Sequence, residues 1–96
     1  LGTNHTYTGW GGLLAGGNNA ITHNEAAVFG GGNTTSGYRA LTAGHSNEAS
    51  GQWSTVLGGE SNTATAAHTV VLGGASNSAA LSATDTEMFL GTISPM

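Results

Sequence analysis

The 96-residue chain has no cysteine, one proline and a single Lys or Arg, Arg39. Without cysteine there is neither a disulfide framework nor a thiolate metal site, and redox compartment is not encoded. One cation set against Glu25, Glu48, Glu60, Asp85 and Glu87 does not neutralise a run of phosphates. That excludes nucleic acid and anionic membrane surfaces as natural partners. No apolar run reaches membrane-spanning length, so this segment is not expected to insert directly into a bilayer. Aromatic residues are 6% of the chain and charged residues another 6%, too few for an ordinary globular core with a charged shell. Leu1 opens in the middle of a pattern, so the chain reads as a piece of something longer.

What is abundant is glycine, seventeen in all, with much Ser, Thr, Asn and Ala. Such composition suggests disorder unless the residues recur at fixed spacing. They do. Asn19, Asn33, Asn47, Asn62 and Asn77 follow one another at intervals of 14 or 15 residues, and one more step back reaches His5. Self-similarity at this length indicates a solenoid in which one repeat is one coil.

Numbering each coil from its asparagine as place zero, place two holds Ile21, Thr35, Ala49, Ala64 and Ala79. Place four carries Gly9, Gly37 and Gly51, with His23 and Ala66 as departures. Places seven to ten form a short run, such as Ala26-Ala27-Val28-Phe29 or Ser54-Thr55-Val56-Leu57, always followed by glycine. Glycine recurring in every coil argues against helix, and β-branched residues between the glycines argue for strands. The coil therefore reads as short strand, bend, short strand, glycine-rich turn, asparagine. Asparagine side chains stacked from coil to coil are expected to bond along the ladder.

Strand side chains alternate between faces. Places seven and nine pair small residues with one medium aliphatic, as in Ala26/Val28 and Ser54/Val56, which suits a cramped interior. Places eight and ten carry Leu13, Phe29, Leu41, Leu57, Val70 and Leu72 on the opposite face. An apolar stripe along a solenoid marks a protein contact. A coil this thin buries little by itself, and self-association with closed rotational symmetry is the usual remedy.

The series Asn33-Thr-Thr-Ser-Gly-Tyr-Arg-Ala-Leu-Thr-Ala-Gly, Asn47-Glu-Ala-Ser-Gly-Gln-Trp-Ser-Thr-Val-Leu-Gly-Gly and Asn62-Thr-Ala-Thr-Ala-Ala-His-Thr-Val-Val-Leu-Gly-Gly closely resembles the YadA-like head repeat. That repeat occurs in trimeric autotransporter adhesins, with similar repeats in bacteriophage tail fibres. The resemblance implies an all-β, left-handed parallel β-roll or β-solenoid with coils of 14–15 residues, assembled as a homotrimer. It places about five coils in residues 1–83 and a neck-like or capping segment in residues 84–96, and it sets the apolar stripe against neighbouring subunits. It also implies a non-enzymatic role without cofactor: attachment to host matrix, cells or surface glycans from the outer face of a bacterial outer membrane. The alternative is a phage or phage-like tail-fibre segment on a virion, binding a bacterial surface receptor or serving as structural shaft.

Places five and six vary most in chemistry and hold Trp10, Glu25, Tyr38, Arg39, Trp53 and His68, which stacked coils align into one ridge. Trp, Tyr and Arg are the residue types that anchor interfaces, and aromatic faces also stack on sugars. These six are the candidate binding residues. Competing chemistries are weaker. His5, His23, His45 and His68 occupy different places, so no metal column is expected. The glycine runs lack the lysine of a phosphate loop and the recurring aspartate of a calcium roll. No serine has a base and acid at a matching place, and Glu25, Glu48 and Glu60 fall at three different places, giving no hydrolytic carboxylate pair. An ice-binding face needs a regular threonine array, whereas the threonines are scattered.

Overall fold

The computed structural model describes residues 1–79 together with the backbone of the strand at residues 87–89. In chain order the first strands are β1 (Gly2–Thr3), β2 (Thr6–Tyr7), β3 (Leu13–Gly17), β4 (Ala20–Ile21), β5 (Ala27–Gly31) and β6 (Thr34–Thr35). They continue with β7 (Leu41–His45), β8 (Glu48–Ala49), β9 (Thr55–Val56), β10 (Thr63–Ala64), β11 (Thr69–Val71), β12 (Ser78–Ala79) and β13 (Glu87–Phe89). Odd-numbered strands form one sheet and even-numbered strands the other, each in sequential order. Every pairing is parallel. Parallel strands cannot be joined by a tight hairpin and need a crossover connection. Here the crossover from one odd strand to the next runs through the even strand between them. The result is a parallel β-solenoid of about 6 turns with coils of about 14 residues. Sequence counting yields about five coils because the partial turns that begin with β1 and end with β13 fall outside the asparagine series.

The interior follows the expected alternation. Place nine (Leu14, Val28, Thr42, Val56, Val71) meets place two (Ile21, Thr35, Ala49, Ala64, Ala79), and all ten are buried. Place seven closes the core with Ala26, Ala40, Ser54 and Thr69. The third coil differs: Thr35 and Thr42 face each other inside, with Thr35 Oγ1 donating to Thr42 Oγ1 at 2.6 Å. That hydroxyl pair divides the apolar interior into a cluster around Leu14, Ile21 and Val28 and another around Val56 and Val71. Ser54 and Thr69 donate to the carbonyls of Gly51 and Ala66, so their burial leaves nothing unpaired. Among the described residues, no buried side-chain nitrogen or oxygen lacks a partner. An interior of this width accepts hydroxyls only on that condition.

Asparagine at place zero clips the coils together. Asn33 Oδ1 accepts from the Asn47 N–H at 2.8 Å, while its Nδ2 donates to Phe29 O at 2.8 Å and to Gly44 O at 2.9 Å. Asn19, Asn47 and Asn62 repeat the pattern. The expected ladder is therefore present, but it runs from side chain to backbone rather than from amide to amide. His5 takes the same place in the first coil. Its Nε2 lies 2.8 Å from Leu1 O, and its Nδ1 faces the Asn19 N–H at 3.4 Å. These partners require the neutral ring protonated on Nε2, which copies the donor and acceptor of the asparagines.

Glycine is required where coils touch backbone to backbone. At Gly30, with φ of +111°, an added Cβ would fall 2.1 Å from Gly44 O in the next coil. The turns also accommodate a change of length. Thr42 pairs with Val56 and His45 bridges Glu60, so residues 57–59 carry one residue more than the matching stretch of the preceding coil. That is a β-bulge, and it shortens β9 relative to the five-residue β7.

At the far end, β13 pairs with β11 through Thr69↔Glu87 and Val71↔Phe89, a longer step than any earlier coil. The backbone of this strand, which falls within the segment expected as a neck or cap over residues 84–96, continues the odd-strand sheet. The boundary at residue 83 and the rest of that segment lie outside the described residues.

Candidate functional site

Places five and six form the bend that leads into the odd-numbered strands. The N–H of place six bonds to the place-five carbonyl of the preceding coil: Glu25 to Trp10, Arg39 to Asn24, Trp53 to Tyr38 and His68 to Gln52, at 2.8–3.2 Å. One N–H to carbonyl rung per coil holds the candidate residues in register along the solenoid. Place six has positive φ throughout, at Gly11 (72°), Glu25 (57°), Arg39 (57°), Trp53 (59°) and His68 (61°). Left-handed geometry costs an ordinary L-residue about 1–2 kcal/mol. Four large side chains occupy it here.

These side chains come together in part. Ring centroids run from His23 to Tyr38 at 5.5 Å, Tyr38 to Trp53 at 6.4 Å and Trp53 to His68 at 4.8 Å, an aromatic series crossing four coils. Tyr38 also lies under the Arg39 guanidinium, 4.9 Å from ring centre to Cζ. Arg39 Nε donates to Glu25 Oε1 one coil back. That hydrogen bond first, then the charge of the same carboxylate and of Tyr38, holds the guanidinium above its ordinary pKa. Trp10, in the first coil, is 60% exposed and joins no ring pair among the described residues. Of the six candidates, the structure thus joins Glu25, Arg39, Tyr38, Trp53 and His68 and leaves Trp10 apart.

Four further contributors lie outside the six candidates. His23 replaces the place-four glycine and opens the ring series. Ser36, Ser50 and Gln52 join His23, Gly37 and Tyr38 around an open groove of about 460 Å³ beside the ridge. Ser36 and Ser50 belong to place three, where each coil carries a hydroxyl: Thr8, Thr22, Ser36, Ser50 and Thr65. Their backbone N–H groups bond to the next coil's place-two carbonyls, at 2.9–3.2 Å, which aligns them in one column. Of the scattered threonines, Thr8, Thr22 and Thr65 thus share a column with Ser36 and Ser50. The neighbouring place-one column is interrupted by Ala20 and Glu48, so the face carries one continuous hydroxyl column and not a two-dimensional array.

No family model, curated protein or solved structure matches the chain.

The apolar stripe lies where alternation puts it, on the outward side of the odd-strand sheet. Leu13, Phe29 and Leu57 are exposed on the single chain, while Leu41, Val70 and Leu72 are half-buried. Among the described residues, no three His, Asp or Glu side chains converge as a metal would need.

Proposed function

We propose that this chain is a segment of a left-handed, homotrimeric head of the YadA-like type, displayed outside the cell and used for attachment. Neighbouring copies cover the stripe of Leu13, Phe29, Leu41, Leu57, Val70 and Leu72, and the ridge from His23 to His68 meets the surface of a host or another cell. The observation that carries the reading is the occupancy of the left-handed corner. Glu25, Arg39, Trp53 and His68 hold a backbone conformation that disfavours them, in a place where Gly11 shows that glycine fits. Sparsely populated backbone geometry concentrates at sites where side-chain identity matters more than local stability. The rigid coil ladder beneath supplies preorganisation, and three copies supply avidity when their geometry permits simultaneous engagement.

The test has two parts. Light scattering on the purified chain is expected to give three times the monomer mass, and a stable monomer would remove the assembly. Alanine at Trp10, Tyr38 and Trp53 together is expected to leave the assembly intact and abolish attachment to cells or immobilised matrix. Unchanged attachment in an intact trimer would reduce the segment to a spacer, as in the shaft of a tail fibre.

A further inference from the structure

Two linear features run side by side along the solenoid. One is the place-three hydroxyl column; the other is the ring series His23–Tyr38–Trp53–His68. The open groove of about 460 Å³ lies where they meet, with Ser36 and Ser50 from the first feature and His23 and Tyr38 from the second. Gln52 adds an amide with both donor and acceptor. Parallel strands bring equivalent atoms around at about 4.8 Å per coil. Along the groove one coil offers His23, the next Ser36 beside Tyr38, and the third Ser50 beside Gln52.

Its charge is equally informative. Arg39 is the chain's only Lys or Arg, and its guanidinium is engaged by Glu25 and lies over Tyr38. The chain's formal net charge is −4. No unpaired Lys or Arg remains to receive a carboxylate or sulfate, and the surrounding charge repels one. A ligand that satisfies hydroxyls and an amide, lies flat on rings and carries no charge is a neutral saccharide. The linear arrangement selects a chain over a single sugar.

We propose that this groove binds an uncharged, linear oligosaccharide lying along the solenoid axis. Its sugar faces rest on the His23–Tyr38 side, and its hydroxyls exchange hydrogen bonds with Ser36, Ser50 and Gln52. The proposal rests on the recognition role given above and names the ligand class for it.

Calorimetric titration of the full chain with cellohexaose, chitohexaose and maltohexaose, against hexagalacturonate as the charged control, tests it. At least one neutral hexamer is expected to bind at least tenfold more tightly than the acidic one. Tyr38→Ala, and separately the Ser36→Ala/Ser50→Ala pair, should each weaken that binding tenfold or more while circular dichroism stays unchanged. Binding unaffected by both variants, a preference for hexagalacturonate, or no binding by any neutral hexamer would overturn the proposal. If the triple alanine variant at Trp10, Tyr38 and Trp53 still loses cell attachment when no saccharide binds, recognition by the ridge stands and only the ligand class falls. If attachment is also unchanged, both fall.

Discussion

Besides a turn glycine, each repeated coil has positive φ at two further corners, and these two are filled by opposite rules. Next to the asparagine, positive φ falls on Asn4, Asn18, Gly32, Ser46, Ser61 and Ser76, which are small and mostly able to bond locally to backbone. At the ridge, the same backbone geometry falls on Glu25, Arg39, Trp53 and His68. The first corner closes inward on a fully bonded ladder; the second carries side chains outward. Under the proposed function, one corner is kept for its conformation and the other for what it displays. If so, substitutions should separate the two: the asparagine corner should govern stability with no effect on binding, and the ridge the reverse.

The largest effect should come from Asn47→Ala. It removes acceptance from the Asn62 N–H and donation to Ala43 O and Gly59 O, within a site that is 1% exposed. Three such bonds, with a buried N–H left unpaired, correspond to a destabilisation of about 3 kcal/mol. Denaturant unfolding should show it as a lower midpoint at unchanged m-value. A loss under about 1 kcal/mol would mean the ladder is incidental to the fold.

His5→Asn should act in the opposite direction. The imidazole supplies one donor and one acceptor where asparagine elsewhere makes three side-chain bonds. Restoring the amide should stabilise the first coil by about 1 kcal/mol, read as slower hydrogen exchange at the Asn19 amide. No change there would show that the end coil opens independently of this contact.

The parts of this arrangement that were legible in the residue order are those that burial dictates. Place two and place nine must be small or aliphatic because they meet across a narrow interior, and asparagine must recur because its amide fits one turn. The strand alternation and the outward stripe follow from the same constraint. Less legible was anything set by chain closure. Helix and strand propensities do not reveal that Trp53 or Arg39 adopts positive φ, since that choice is imposed by the coil rung and opposed by the residue itself. Counting threonine alone hid the hydroxyl column, because Ser36 and Ser50 fill its centre. The bulge at residues 57–59 was visible only as a period of 15 in place of 14, with no sign of which residue would be extruded.

Trp53→Gly probes the other side of the comparison. Removing a side chain from the left-handed region relieves about 1–2 kcal/mol. Glycine returns about 0.5–1 kcal/mol of that through the freedom of the unfolded chain, and ring contacts with Tyr38 and His68 are lost. Stability should therefore stay within about 1 kcal/mol of the parent, while attachment or saccharide binding falls at least tenfold. A variant that unfolds would show that the ring series is structural and that both corners obey one rule.

The smallest effect should come from Arg39→Gln. The ion pair with Glu25 spans two coils but is open to solvent, with half of the Arg39 side chain exposed. Exposed pairs contribute little and are screened by salt. The parent's thermal midpoint should accordingly fall slightly between low and moderate ionic strength, and the variant's should not. In binding the substitution reaches further, because removing the guanidinium uncovers the ring of Tyr38 and leaves the Glu25 carboxylate without its cation. A neutral saccharide should then lose little or gain slightly, whereas hexagalacturonate should bind more weakly still. Stronger binding of the acidic chain after the only Lys or Arg is removed would contradict the charge argument, and with it the distinction between a corner kept for shape and a corner kept for recognition.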